Sequence, residues 1–147
     1  LRYPDGSRQP TGWHLPTPGQ LVAEILLRRP REVPADPSGV TSVGWLMGCF
    51  LMMPRSVLLE IDGWDLGFWF HGTDLEICSK LRNAGRTVLR LEGHEIVHVG
   101  HRTWDRERRR QVRSAQQLWM LRDHGPLSAA TYGLASRLGS RLRRGTA

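Results

Sequence analysis

The chain of 147 residues is 39% hydrophobic and 24% charged, which is typical of a soluble globular domain. Its longest apolar run, Trp45 to Met53, is too short to cross a bilayer, and Cys49 and Cys78 lack CxxC spacing. This sequence therefore contains no span for a bilayer, and its two cysteines indicate buried thiols in preference to a disulfide or metal pair, which suits a reducing cytoplasm.

The net charge of +7 is concentrated near the C-terminus. Residues 102–147 contain eleven Arg against Asp105, Glu107 and Asp123, which gives this segment a charge of +8 and leaves the rest at −1. We therefore predict a domain over residues 1–103 and a basic helical tail over residues 104–147. Because the chain begins at Leu1 without a signal segment, we expect it to be a piece of a longer protein.

The first forty residues are rich in Pro and Gly and predict an irregular segment with one helix. Apolar residues recur at helical spacing from Gln20 to Arg29, and Pro30 ends that pattern. Trp13 and His14 lie before this helix. They either contact a ligand or fix the loop to the body of the domain.

The apolar run from Val40 to Met53 predicts a buried strand, or two short strands broken at Gly44 and Gly48. Pro54 suits the first position of the short helix that follows. Asp62 and Gly63 then predict a reversal of the chain.

The stretch from Gly63 to Gly85 combines aromatic side chains with ionisable ones. Thr73 is predicted to cap a helix, Glu76 completes a capping box, and Gly85 marks the helix end. Asp74 then lies in the first turn, where the helix dipole favours an ionised carboxylate suited to a general base. The alternative is that Asp74 only stabilises the helix start, by about 0.3–1 kcal/mol.

Two further strands are predicted, over Arg86–Leu91 and Glu95–Val99. His94 and His98 would lie about 13 Å apart along the second of these strands, so a structural zinc site is not expected. Taken alone, His98 would be a hydrogen-bonded strand residue.

The tail predicts a helix from Trp104 to Arg122 that Gly125 and Pro126 end. Its apolar stripe consists of Val112, Ala115 and Trp119, with Arg residues opposite. A second helix is predicted to follow, with a stripe of Leu134, Leu138 and Leu142.

The stretch from Gly63 to Gly85 resembles the acceptor-side motif of family 2 inverting glycosyltransferases with the A-type fold. The subgroup that it resembles is the rhamnosyltransferase-like enzymes of bacterial cell-envelope polysaccharide synthesis. Gly63-Trp64-Asp65 matches the start of their motif, Phe68-Trp69 the aromatic pair, and Asp74 the second acid of the Glu-Asp pair. The chain departs from the motif at three positions. Thr73 replaces the first acid, Glu76 replaces the later Asp, and His71 stands where a Tyr is common.

The resemblance implies an α/β fold that forms the C-terminal portion of a glycosyltransferase A-type domain. We expect a short mixed sheet with flanking helices over residues 1–103, the acceptor-side half, followed by the basic helical tail. The nucleotide-binding half and its Asp-x-Asp have no counterpart in this sequence, so the piece alone is expected to be inactive.

The same resemblance implies transfer of a sugar from a nucleotide-sugar donor to a glycan or lipid-linked acceptor, with inversion. Asp74 would be the catalytic base, and His98 a ligand of a divalent metal, Mg or Mn. His71 and Glu76 would orient or supplement the base. The acceptor would lie against an aromatic wall of Trp45, Trp64, Phe68 and Trp69.

The tail allows two interpretations. Its Arg residues and Trp119 would hold the enzyme at the inner face of the plasma membrane, as a cytoplasmic peripheral protein. Alternatively, Val112, Ala115 and Trp119 pack against the protein and the Arg residues are solvated. A different class of function, a basic nucleic-acid- or membrane-binding module without catalysis, stays open. Nucleic acid itself is not expected as a partner, because the aromatics are not interleaved with the Arg cluster.

Overall fold

The computed structural model describes residues 1–27, 32–69, 71–99 and 106–142. Helices and short strands form two compact units. The first unit combines Leu1–Leu15 with Arg31–Asp105, and the second combines Pro16–Pro30 with Arg106–Ala147. The predicted mixture of helices and strands is confirmed, while the predicted identities of residues 1–103 and 104–147 stay predictions.

Two small antiparallel sheets form in the first unit. Strand β1 (Gly12–Trp13) pairs with β3 (Trp45–Leu46), and β2 (Val40–Val43) pairs with β4 (Val88–Leu91). The expected short mixed sheet is therefore replaced, in the described parts of the chain, by two separate two-stranded antiparallel sheets.

The predicted break at Gly44 is confirmed, and it separates β2 from β3. The Gly44 N–H donates to the carbonyl oxygen of Trp13 at 2.7 Å. A Cβ on Gly44 would lie 1.9 Å from the backbone nitrogen of Leu15, so only glycine fits there. At Gly48 the chain enters a turn and does not begin another strand.

Helix α2 (Arg55–Glu60) follows Pro54. Pro54 was predicted to be the first helical residue, but it is the N-cap, one position earlier. Asp62 and Gly63 both adopt φ of 57° and reverse the chain as predicted. The core of this unit lies beneath these elements and consists of Val33, Val43, Ile61, Ile77, Cys78, Leu81 and Val88.

Helix α3 (Thr73–Asn83) carries the candidate base near its start and ends before Gly85, whose φ is 72°. The predicted cap at Thr73 is wrong, because Gly72, with φ of 80°, is the N-cap and no side chain caps the helix. Glu76 makes no capping box, since its buried carboxylate pairs with Lys80 at 3.2 Å.

The predicted strand over Glu95–Val99 is wrong. Only an isolated bridge forms there, between Arg2 and Val97. The Arg2 N–H donates to the carbonyl of Ile96, and the His98 N–H donates to the carbonyl of Arg2. Because the Arg2 segment turns back at Gly6, it supplies one residue of pairing and no continuous partner strand.

An ion-pair network ties three distant segments of the first unit together. Arg90 is buried, and its guanidinium contacts Glu32 at 3.2 Å and Glu92 at 2.7 Å. Thr41 donates to Glu92 at 2.7 Å, and Arg8 binds Glu32 at 2.6 Å. Burial alone would raise the pKa of Glu32, but the bonds from Arg8 and from the Thr11 N–H outweigh it and lower that pKa.

The second unit consists of α1 (Pro18–Leu27) packed on α4 (Arg106–Leu142). Helix α4 is broken at Gly125, which has φ of 81° and ψ of 175°, so the predicted break is confirmed. We call residues 106–124 the first arm and residues 126–142 the second arm. The predicted start of a helix at Trp104 and the predicted end of a helix at Pro30 both lie outside the described residues.

Trp119, on the first arm, is 1% exposed and belongs to the core of the second unit. Tyr132, on the second arm, is equally buried and donates its hydroxyl to Gln116 at 2.5 Å. This packing agrees with the interpretation that the stripe of Trp119 faces protein. None of the helices in the described parts of the chain has the length and apolar composition of a membrane span.

Candidate active site

Asp74 is held at the start of α3 by two backbone N–H groups. Its Oδ1 accepts a hydrogen bond from the Leu75 N–H at 2.9 Å, and its Oδ2 accepts one from the Gly48 N–H at 3.2 Å. A Cβ on Gly48 would lie 3.0 Å from the Cβ of Asp74, which leaves little room for any other residue. The turn after β3 is therefore fixed against the first turn of α3.

Burial raises the pKa of the Asp74 carboxyl above its ordinary value. The N–H bonds from Gly48 and Leu75 lower that pKa, and so does the charge of nearby His71, but burial outweighs them. From the sequence we predicted only the opposite effect, in which the helix dipole favours the ionised carboxylate and lowers its pKa. A carboxylate with a raised pKa binds a proton more tightly, and this property makes it a better general base.

Three other ionisable side chains lie within electrostatic range of Asp74. The pKa of Cys49 is raised, mainly by burial and in part by the negative charge of Asp74. Burial, together with Asp74 and Glu76, raises the pKa of Cys78 to about 11. His71 is the third neighbour and is partly exposed. The structure thus brings predicted residues Asp74 and His71 together, and adds Cys49, which sits in an exposed turn.

Glu76 lies apart from the hydrogen bonds of Asp74. Its side chain is buried beside Lys80, whose Nζ also donates to the carbonyl of Gly63 at 3.0 Å. The bond from Lys80 to Gly63 fixes α3 to that turn. The predicted role of Glu76 in supplementing the base stays a prediction.

The four predicted wall aromatics differ in exposure. Trp69 is 95% exposed and Trp64 is 44% exposed, whereas Phe68 is buried at 5%. Trp45 is partly buried against the core and stacks on Trp13, with ring centroids 4.4 Å apart and planes 22° apart. The surface open to a ligand is therefore mainly that of Trp64 and Trp69, with Phe68 supporting their loop from inside.

His98 is oriented by Gln9, a residue that no sequence pattern singled out. The His98 Nδ1 lies 3.0 Å from the Gln9 Oε1, and Gln9 is buried. Because Oε1 can only accept, this contact assigns the proton to Nδ1, and in the neutral ring Nε2 then keeps its lone pair, the form that binds metals. Within the described ranges, no group of three His, Cys, Asp or Glu residues could hold an ion.

Gly48 is the second residue that sequence reasoning missed, since the sequence indicated only a break in a strand. Its contact with Asp74 spans 26 positions in the chain. No local pattern reports such a contact. The one signal that could have led to Gly48 was the predicted catalytic role of Asp74, which would prompt a search for the residues that contact it.

The raised pKa of Asp74 has a measurable effect on stability. An aspartate that binds its proton more tightly in the folded state stabilises the fold below its unfolded pKa, about 3.9, and loses this contribution as pH rises through its folded pKa. The free energy of unfolding, measured by urea titration relative to Asp74→Asn, should therefore fall across this window and then stay constant. A difference that rises with pH would contradict the assigned direction.

Curated proteins that match the chain are rhamnosyltransferases. Rhamnosyltransferase WbbL of Escherichia coli K12 is 26% identical over 61 residues, covering 42% of this chain and 23% of that protein. The N-acetylglucosaminyl-diphospho-decaprenol L-rhamnosyltransferases of two Mycobacterium tuberculosis strains are 26% identical over 108 residues, covering 67% of this chain and 35% of each.

No family model matches the chain, and no solved structure matches it. The chain spans about a third or less of the length of the curated relatives that it matches. The similarity is therefore a distant relationship to rhamnosyltransferases.

Proposed function

We propose that this chain is the acceptor-side part of an inverting glycosyltransferase with the A-type fold. The reaction would move a sugar from a nucleotide-sugar donor to a glycan or lipid-linked acceptor of the cell envelope. The observation that carries the proposal is the position of Asp74, which two backbone N–H groups hold in a partly buried turn. The distant similarity to rhamnosyltransferases supports it.

The chemistry assigned to Asp74 is the removal of a proton from an acceptor hydroxyl. The hydroxyl oxygen then forms a bond to the anomeric carbon while the bond from that carbon to the nucleoside diphosphate breaks. Each carboxylate oxygen accepts one N–H bond and has a second acceptor position for the hydroxyl. The proton stays on Asp74, whose surroundings favour the neutral form.

The orientation of the acceptor is assigned to exposed aromatic side chains that precede α3 in the sequence. Trp64 and Trp69 precede α3 by a few residues and have exposed ring surface. The C–H face of a sugar ring can pack on such rings. The two mycobacterial relatives are named for a diphospho-decaprenol acceptor, so a lipid-linked sugar is the acceptor that we propose for this chain.

His98 is assigned to a divalent metal, Mg or Mn. Its Nε2 lone pair is available because Gln9 holds Nδ1, while the other ligands would come from outside the described residues. A bound metal would stabilise the charge that develops on the departing diphosphate.

Replacing the proposed base should abolish most of the activity. In the active enzyme that contains this region, Asp74→Asn should lower kcat by about a hundred- to ten-thousand-fold, because the amide cannot take the proton. Donor affinity should stay within a factor of two of wild type. The measurement is transfer of labelled sugar to a short-chain lipid-diphosphate acceptor.

Asp65→Asn is the matched control, since Asp65 lies in the same stretch but accepts a hydrogen bond from the Gly67 N–H. The Asp65→Asn variant should change kcat by less than about threefold, because it loses only a hydrogen bond within a turn, and such a loss has a small effect. If Asp74→Asn also stayed within threefold of wild type, Asp74 would not be the base.

The metal assignment is tested by binding and does not depend on turnover. In the same enzyme, His98→Ala should weaken Mn-dependent binding of a nucleoside diphosphate by about tenfold or more, and excess Mn should partly restore it. His94→Ala removes an exposed imidazole four residues away and should leave binding unchanged. Equal affinities for His98→Ala and wild type in calorimetry would return His98 to a structural role.

A further inference from the structure

The second arm of α4 directs its largest apolar side chains into solvent. Leu127 is 81% exposed, Leu134 is 61% exposed and Leu138 is 56% exposed. Because these positions are seven and four residues apart, they lie on one stripe of the helix. We call this stripe the leucine face.

The opposite side of the same arm provides the packing within the second unit. Its buried residues are small, apart from one tyrosine, and they are Ala129, Tyr132, Ala135, Ser136 and Gly139. An ordinary surface helix buries its leucines and exposes its small residues. Here the order is inverted, so the leucine face is not a part of the core that the unit needs for its own packing.

The surroundings of the leucine face are also apolar. The Thr131 hydroxyl donates to the carbonyl oxygen of Leu127 at 2.9 Å, so it is satisfied within the helix. Ala130, one turn from Leu127 and from Leu134, lines an open groove between the two arms. The groove holds about 430 Å³ and is lined mainly by Leu118, Leu121, Pro126 and Ala129. An apolar surface of this kind marks an interaction site.

Charge identifies the partner. From Pro126 to the end of the chain there are four Arg, at positions 137, 141, 143 and 144, and no acidic residue. A second copy of this chain would bring two such positive segments together, and the repulsion between their like charges would oppose that association. An anionic surface complements them, and leucine beside Arg is the composition of helices that lie in a membrane interface.

We propose that the leucine face docks the protein on an anionic lipid bilayer. This assignment corrects the sequence-based expectation that Trp119 would anchor the tail, because Trp119 is buried in the second unit. The docking surface lies on the second arm and requires no contribution from catalysis. The proposal therefore stands independently of the proposed function.

The test is co-sedimentation of the full chain with vesicles. One set contains phosphatidylcholine alone and the other equal parts of phosphatidylcholine and phosphatidylglycerol. The full chain should sediment with the anionic vesicles and detach as salt rises, because screening acts over about 10 Å at 0.1 M. The double variant Leu134→Gln with Leu138→Gln should lower the partition coefficient by about tenfold or more, since two leucines no longer enter the apolar layer.

Leu59→Gln is the matched control, because Leu59 is also 61% exposed but lies on α2 of the first unit. It should sediment as wild type does, and circular dichroism should show that both variants keep the helical content. Equal sedimentation of the double variant and wild type would overturn the proposal. The proposal would also be overturned if analytical ultracentrifugation without lipid showed self-association of the wild type and none of the double variant. A second copy of the chain would then cover the leucine face.

Discussion

The pair of hydrogen bonds that Asp74 accepts from Gly48 and Leu75 is the constraint on which the candidate site depends. It joins the turn after β3 to the first turn of α3, so that a loop and a helix from different parts of the chain meet at one carboxylate. The close approach favours glycine at position 48. It also explains why the carboxyl is buried enough for its pKa to rise.

The rest of the first unit supports this junction from behind. The Gly44 N–H bond to Trp13 and the stack of Trp13 on Trp45 set the course of β3 toward Gly48. On the other side, the bond from Lys80 Nζ to the Gly63 carbonyl fixes α3 to the turn at Gly63, and Glu76 pairs with the same Lys80. The exposed groups, Cys49 and Trp69, lie on loops that adjoin this framework. Such an arrangement suits a site in which a flexible acceptor must meet a fixed base.

What the sequence predicted well depends on neighbouring residues. The reversal at Asp62 and Gly63, the end of α3 at Gly85 and the break of α4 at Gly125 all follow from local backbone preferences. The placement of Asp74 in the first turn of α3 is confirmed for the same reason.

What the sequence did not predict depends on residues that are distant along the chain. The β-branched residues around Val97 favour an extended backbone, but whether they form a strand depends on a partner, and Arg2 supplies only one residue of pairing. The periodicity of the tail identified both stripes, yet it could not tell which one packs on protein. The burial of Trp119 and the exposure of Leu134 follow from tertiary contacts. The bond from Gly48 to Asp74 is of the same kind.

Whether the acceptor hydroxyl binds beside Asp74, as we propose, can be tested by alkylation of Cys49. Cys49 is exposed and lies within electrostatic range of Asp74, whereas Cys78 is buried and has a pKa of about 11, so a maleimide should react at Cys49 first. We expect the proposed short-chain lipid-diphosphate acceptor to slow this reaction by about tenfold at saturation, since a bound ligand shields the thiol. An unchanged alkylation rate, at concentrations where calorimetry shows the lipid bound, would place the acceptor away from Asp74.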